Sequence, residues 1–259
     1  MAKKTAPAKS KNRLGWVPDV PDHRDFAYAA PLATLAALPP KIDLRPHCPP
    51  VYNQGALGSC TANAIGAAFQ FDRMRQNLPS FVPSRLFLYY NERAMEGSVA
   101  SDAGAMIRDG IKSMKHQGDC PETQRPYIVS RFAVKPPPQC YTSALKFQVV
   151  SYQRVARTLG QMRGCIASGF PFVFGVSCYT SFLSAATAAT GDIAMPAQAE
   201  TLEGGHAILC TGYDDSKQRF NFRNSWGTGW GNGGYGTIPY AYLLDPNLGD
   251  DYWTIRLVE

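Results

Sequence analysis

The pattern of apolar residues changes from helical to strand-like near residue 145, and this change constrains the fold more than any other feature. Between residues 60 and 117, apolar residues recur at helical spacing and predict helices over 60–77, 84–96 and 103–117. Beyond that point, short runs rich in β-branched and aromatic residues predict strands, interrupted by one helix at 158–168. The predicted strands are 147–155, 171–178, 206–213, 219–224, 234–238 and 252–258. Helices followed by strands indicate an α+β chain of two lobes that meet at a cleft.

The positive charge of the chain is concentrated at its start. Five of the 26 basic residues fall within residues 1–13, which contain no acid, whereas the remaining 21 basic and 20 acidic residues nearly cancel. A solvated basic tail therefore accounts for the net charge of +6 and the isoelectric point of about 8.9. We accordingly expect no nucleic-acid partner.

Residues 14–37 alternate aromatic residues with prolines. Trp16, Phe26 and Tyr28 lie among Pro18, Pro21 and Pro31. Prolines at this density oppose regular helix and favour an extended strap whose aromatic side chains need a surface to pack against. Two interpretations follow: the strap is a surface-packed brace, or it lies in or beside the cleft and inhibits the protein intramolecularly.

Several classes of protein do not fit the composition. No apolar run approaches the length of a membrane span, so we expect no membrane association. The basic start is not followed by the apolar stretch of a Sec-type export signal, so we favour the cytoplasm, with export by another route as the alternative. The seven cysteines form no CxxC pair or metal-ligand spacing, so we expect no metal site. Six could pair and leave Cys60 free, but spacing alone does not decide this, and we favour reduced thiols.

Cys60 stands where a glycine-rich turn, residues 53–59, gives way to the first predicted helix. The unpaired N–H groups and the positive end of the helix dipole favour the thiolate over the thiol, so Cys60 is a candidate nucleophile. Free cysteines are, however, more often buried as small hydrophobic residues. The nucleophile interpretation needs a base and an oxyanion donor elsewhere in the chain.

Two segments of the strand half provide such partners. His206 follows two glycines and begins a strand-like run, and Asn224 begins the segment Asn-Ser-Trp-Gly-Thr-Gly-Trp-Gly at 224–231. Taken singly, such a histidine is usually structural, and an asparagine in a glycine-rich turn usually serves the turn. Their combination with Cys60 favours a catalytic interpretation.

These three segments together resemble the papain family of cysteine peptidases. Residues 54–61 align without a gap with the family motif Gln-Gly-x-Cys-Gly-Ser-Cys-Trp, and residues 224–231 match Asn-Ser-Trp-Gly-x-x-Trp-Gly throughout. His206-Ala207 matches the family's x-His-Ala segment, 146 residues after Cys60. The resemblance covers about residues 38–259 and is to the bacterial, xylellain-like branch that lacks a long pro-domain.

The resemblance implies a papain-like two-lobed fold with the active-site cleft between the lobes. Residues 1–37 would form the N-terminal extension and residues 38–259 the peptidase domain. A helical left lobe would span about 47–145, and an antiparallel, β-barrel-like right lobe about 146–259. We expect a monomer.

The resemblance also implies a role for each motif residue. Cys60 would be the nucleophile, His206 the acid and base, and Asn224 the residue that orients the imidazole. The side-chain amide of Gln54 and the backbone N–H of Cys60 would stabilise the oxyanion. Trp226 would shield the hydrogen bond between histidine and asparagine.

The chain departs from the family pattern at several positions. Leu57 replaces a disulfide-forming cysteine, and Thr61 replaces the tryptophan after the nucleophile. The wall of the substrate groove is reduced to a short segment, with a glycine also before the histidine. These predicted groove residues are Asp102, Ala103, Gly104 and Gly205.

The function implied is hydrolysis of peptide bonds in peptides or proteins, through a thioester on Cys60 and without a cofactor. One alternative is an acyltransferase or deamidase, since the fold and the catalytic residues do not decide what attacks the thioester. A second is an inactive homologue that binds peptides, which is disfavoured because Gln54, Cys60, His206 and Asn224 are all present.

Overall fold

The computed structural model describes residues 13–259. Most of the predicted basic tail, residues 1–12, lies outside the described residues. Within the described range, all seven cysteines are free thiols. None of the described helices is both long enough and apolar enough to cross a membrane.

The helices of residues 13–259 lie mainly in the first half of the chain, as the sequence predicts. Their bounds are Leu32–Ala36 (α1), Cys60–Arg75 (α2), Arg85–Met95 (α3), Ile107–His116 (α4), Pro138–Ala144 (α5), Leu159–Ala167 (α6), Ala185–Thr190 (α7) and Tyr240–Leu244 (α8). The side-chain oxygens of Ser84 and Thr158 accept hydrogen bonds from the backbone N–H of the third residue after them and so cap the N-termini of α3 and α6.

The strands form one open sheet rather than a closed barrel, so the barrel-like description of the right lobe is too loose. Their bounds are Ala27–Tyr28 (β1), Lys41–Asp43 (β2), Val149–Val155 (β3), Phe172–Tyr179 (β4), Leu202–Asp214 (β5), Arg219–Arg223 (β6), Tyr235–Pro239 (β7) and Gly249–Val258 (β8). The order is β1-β3-β8-β4-β5-β6-β7, and β2 also pairs with β5. The expected α+β class is confirmed, and every pairing between these named strands is antiparallel except that of β1 with β3.

Helix α2 is the centre of the fold. Every residue from Cys60 to Arg73 is buried, so the helix is enclosed on all sides instead of presenting a single apolar stripe. Ile65 and Phe69 belong to the same core cluster as Leu209 of β5 and Trp253 of β8. Packing of α2 against the sheet therefore fixes its first residue, Cys60, beside β5.

The N-terminal strap divides into two parts. Strap residues 14–17, together with Arg13 directly before them, run along the groove described below. Strand β1 adds to the edge of the sheet, and α1 lies between Pro31 and Pro39. The expectation that prolines exclude helix here is wrong for this five-residue, proline-free stretch. The expectation that all strap aromatics are covered is also wrong, because Phe26 is 71% exposed whereas Trp16 and Tyr28 are buried.

Candidate active site

Cys60 is the first residue of α2 and is completely buried. The turn before it is tied down, since the Asn63 N–H and side-chain amide both donate to the Ser59 carbonyl, at 3.0 and 2.8 Å. The Ser59 hydroxyl lies 2.5 Å from that of Tyr127. The nucleophile candidate therefore has the helix N-terminal position that the sequence predicts.

His206 and Asn224 are brought together by the pairing of β5 with β6. His206 lies in β5, Asn224 directly follows β6, and Nε2 of the imidazole is 2.8 Å from Oδ1 of Asn224. The Trp226 indole stacks on the imidazole with ring centroids 4.6 Å apart, and Phe182 packs edge-on against both rings. Among residues 13–259, Nδ1 of His206 has no hydrogen-bond partner, so it is the nitrogen left to exchange a proton.

Gln54 is connected to the same segment that carries Asn224 and Trp226. Its backbone N–H donates to the Ser225 carbonyl at 2.8 Å, and its side-chain Oε1 accepts from the Ser225 hydroxyl at 2.6 Å. These bonds direct Nε2 toward the Arg13 and Leu57 carbonyl oxygens, each 2.8 Å away. Nε2 thus already binds a peptide carbonyl, as an oxyanion donor must.

The groove beside Cys60 holds residues 15–17 of the strap by backbone hydrogen bonds on both sides. On one side, the N–H groups of Gly15 and Trp16 donate to the Gly205 carbonyl, both at 2.9 Å. On the other, the Ala105 N–H donates to the Gly15 carbonyl at 2.9 Å, and the Val17 N–H donates to the Ala105 carbonyl at 3.0 Å. The strap is therefore bound as an added strand, the mode in which extended peptides bind sheet edges.

The Trp16 side chain fills a pocket in the right lobe. A Cβ atom on either Gly175 or Gly205 would overlap Trp16, so both glycines are needed for this close approach. The indole N–H donates to Oδ2 of Asp251 at 3.0 Å, and the same oxygen accepts from the Asp19 N–H at 2.8 Å. The strap is thus anchored at the end of the groove by β8.

Burial determines the protonation of the covered site. Loss of hydration raises the pKa of the Cys60 thiol to about 12, although backbone hydrogen bonds from Ala207 and Gly15 lower it. Burial also lowers the pKa of His206 to about 4, despite the opposing effect of its hydrogen bond to Oδ1 of Asn224. Both groups are therefore neutral near pH 7 with the strap in place, and the thiolate expected from the helix position is not favoured in this state.

The predicted groove residues occupy different places along the wall. Gly205 binds the strap directly, and Gly104 has a positive φ of 79° and donates to the Tyr89 hydroxyl at 3.2 Å. Asp102 accepts from the Gly58 N–H at 3.0 and 3.1 Å, whereas Ala103 is exposed. No group of three or more His, Cys, Asp or Glu side chains within residues 13–259 is arranged to hold a metal ion.

Comparison with known proteins decides the family. Residues 38–242 match the family model described as papain family cysteine protease. The chain belongs to the papain family of cysteine proteases. As a member it is a peptidase, and the expected resemblance to the xylellain-like branch is confirmed by the solved structures described next.

The relatives of this papain-family chain include bacterial, viral and protozoan proteins. The crystal structure of xylellain, a cysteine protease from Xylella fastidiosa, is 44% identical and superposes with a TM-score of 0.90 over 99% of this chain and 100% of its own. The uncharacterized peptidase C1-like protein L477 of Acanthamoeba polyphaga mimivirus is 39% identical, over 95% of this chain and 87% of its own. Cathepsin B-like CP2 of Giardia intestinalis is 25% identical, over 80% of this chain and 72% of its own.

Some residues of this papain-family site were not singled out from the sequence. Ala105 pairs with the strap, Tyr89 supports both Asp102 and Gly104, and Ser225 orients Gln54. Ser225 could have been identified from the sequence, because it lies within the motif at 224–231. Tyr89 and Ala105 had none, since their contacts depend on how α3 and the groove wall pack together.

Proposed function

We propose that this chain hydrolyses peptide bonds through a thioester intermediate on Cys60. The observation that carries the proposal is the placement of a peptide segment of the chain itself, residues 13–17. Its Arg13 carbonyl binds Nε2 of Gln54, and Gly15 packs against Gly58, two residues before Cys60, while its N–H donates to the Gly205 carbonyl. A groove that binds backbone carbonyl and N–H groups next to a thiol at a helix N-terminus is suited to peptide substrates.

In the first half of the reaction, the Cys60 sulfur attacks the scissile carbonyl carbon and the carbonyl electron pair moves to oxygen. The oxyanion accepts hydrogen bonds from Nε2 of Gln54 and from the Cys60 N–H. His206, protonated with the proton taken from the thiol, donates it from Nδ1 to the leaving nitrogen. The C–N bond breaks, the amine product leaves, and the acyl group remains as a thioester.

In the second half, His206 removes a proton from water, and the resulting hydroxide attacks the thioester. The C–S bond breaks, the acid product leaves, and the proton that His206 took from water passes to the sulfur and restores the Cys60 thiol. Asn224 holds the imidazole through Nε2, so that Nδ1 remains available for both proton transfers. The stacked Trp226 ring keeps water away from that hydrogen bond.

We infer in addition that the strap limits access to the cleft. Residues 15–17 use the Gly205 and Ala105 hydrogen bonds that a substrate backbone would use. Pro18 follows directly and lacks the N–H that would extend this pairing. The remaining strap elements, β1 and α1, act as a brace, so both interpretations of residues 14–37 apply to different parts of it.

The proposal is tested by incubating a quenched fluorescent peptide, with and without an added amine, with the wild-type chain and with Cys60→Ala, and identifying the products by mass. We expect a free acid and a free amine from the wild type and no turnover above background from the variant. Transfer of the acyl group to an added amine in place of hydrolysis would contradict the peptidase assignment. Turnover by pure Cys60→Ala protein would contradict the nucleophile.

A further inference from the structure

Arg13 binds the groove through two groups at once. Its carbonyl accepts from Nε2 of Gln54 at 2.8 Å, and its guanidinium lies 3.1 Å from Oδ2 of Asp102. Nε2 of Gln54 is one of the two donors assigned to the oxyanion in the proposed reaction, so the Arg13 carbonyl marks the side of the site where the attacked carbonyl binds. The residue that places its carbonyl there in a substrate is the one that precedes the scissile bond.

The Asp102 carboxylate is held rigidly beside the nucleophile. Oδ1 accepts from the Tyr89 hydroxyl at 2.5 Å, and both oxygens accept from the N–H of Gly58, two residues before Cys60. Its side chain is 9% exposed with Arg13 in place, whereas the Arg13 side chain is 58% exposed. The Asp102 carboxylate is therefore a fixed part of the groove wall, whereas the Arg13 guanidinium reaches it from the solvent-exposed side.

We propose that Asp102 determines specificity, selecting an arginine or lysine side chain at the substrate position immediately before the scissile bond. The inference rests on the proposed function and names its substrate class. Once Arg13 leaves the groove, Oδ2 of Asp102 retains only the Gly58 N–H among its contacts described above, and it then faces the incoming substrate. A substrate guanidinium or ammonium group that extends as far as the Arg13 side chain replaces Arg13 as the hydrogen-bond partner of this oxygen.

The contacts of Asp102 with Tyr89 and Gly58 also have a purely structural role, because they tie the turn before Cys60 to α3. A structural role alone would change the hydrolysis of all substrates by the same factor. A specificity role changes the ratio between a cationic and a neutral substrate of equal shape. The experiment therefore measures a ratio within each variant.

The test uses two peptides that differ only in the residue before the scissile bond, arginine in one and its uncharged isostere citrulline in the other. We expect the full-length chain to hydrolyse the arginine peptide with about tenfold higher kcat/KM, as a hydrogen-bonded charge pair allows. Asp102→Asn keeps the size of the side chain and should bring the ratio close to one. Both peptides compete with the same strap, so a variant that loosens the strap raises kcat/KM for both by the same factor and leaves their ratio unchanged.

Arg13→Gln is the matched control, since it removes the strap cation and leaves Asp102 in place. Both rates should rise in this variant while their ratio stays at the wild-type value. If Asp102→Asn does not fold, the wild-type ratio measured from low to high salt replaces it, and the ratio should fall as salt screens the pair. A wild-type ratio near one, a ratio retained in Asp102→Asn, or a salt-independent ratio overturns the inference. Failure of the wild type to cleave either peptide counts instead against the proposed function.

Discussion

Replacing Trp16 by alanine tests whether the strap restricts the cleft. Trp16 is 9% exposed, its ring contacts Gly175 and Gly205, and its indole N–H is bonded to Asp251. Truncation of a buried tryptophan costs about 3–5 kcal/mol. Trp16 is contributed to the core cluster by the strap, so most of this cost falls on strap docking.

A loss of about 3 kcal/mol shifts the docking equilibrium by roughly a hundredfold, because each ~1.4 kcal/mol is a factor of ten. The gain in activity is limited by the fraction of wild-type molecules already open. We therefore expect kcat/KM for a small fluorogenic peptide to rise at least about tenfold in Trp16→Ala. The expected change is mainly in KM if the strap and the substrate compete for one groove.

Phe26→Ala is the matched control, because it removes an aromatic residue of the same strap that is 71% exposed. Its kcat/KM should stay within about twofold of the wild type, and circular dichroism should show that both variants are folded. A synthetic peptide of residues 13–20 should inhibit Trp16→Ala, and the same peptide with alanine for the tryptophan should not. Equal kcat/KM for the wild type and a folded Trp16→Ala would refute the reasoning.

Two further perturbations address the strap anchor and the oxyanion donor. Burial, and next the charge of Asp251, raise the pKa of Asp19 to about 7, so docking is strongest below the ordinary carboxyl pKa near 4 and weakens as pH rises through 7. Hydrogen exchange of the amides of residues 15–17, corrected for intrinsic exchange rates, should show that the strap opens more readily at pH 8 than at pH 5. Asp19→Asn should remove this pH dependence. Equal opening of the wild-type strap at both pH values would contradict the role of Asp19. Gln54→Ala should lower kcat by about 10²–10³ in a saturating peptide assay, whereas an unchanged kcat would exclude Gln54 as the donor.

The residues of the candidate site were predictable because each lies in a contiguous motif on or directly beside a regular element. Cys60 begins α2, His206 lies in β5, and Asn224 follows β6. Strand pairing then brings His206 to Asn224 with no further information needed. Their catalytic roles remain predictions until the experiments above are done.

Features that depend on tertiary packing were not predictable in the same way. Three consecutive prolines at 136–138 oppose regular helix, yet Pro138 occupies the first turn of α5, where its missing N–H costs no helical bond. Met74 continues the apolar spacing of α2, but it is 38% exposed because the helix leaves the core near its C-terminal end. The protonation state of the Cys60 thiol was not predictable either, because its burial involves contact with a strap that is distant in sequence.

The most direct test of the account is stoichiometric labelling of the full-length chain with a peptidyl epoxide that alkylates thiolates. We expect one adduct per chain, located at Cys60 by peptide mapping, and a loss of activity in proportion to labelling. Cys60 is itself buried, and its labelling therefore depends on opening of the strap. The other six cysteines do not begin α2 beside the groove; five of them are buried and burial raises the pKa of Cys48 to about 11, so they should stay unmodified. Labelling should be faster in Trp16→Ala than in the wild type. Full activity after one-to-one labelling, or an adduct on another cysteine that accounts for the loss of activity, would contradict the central claim.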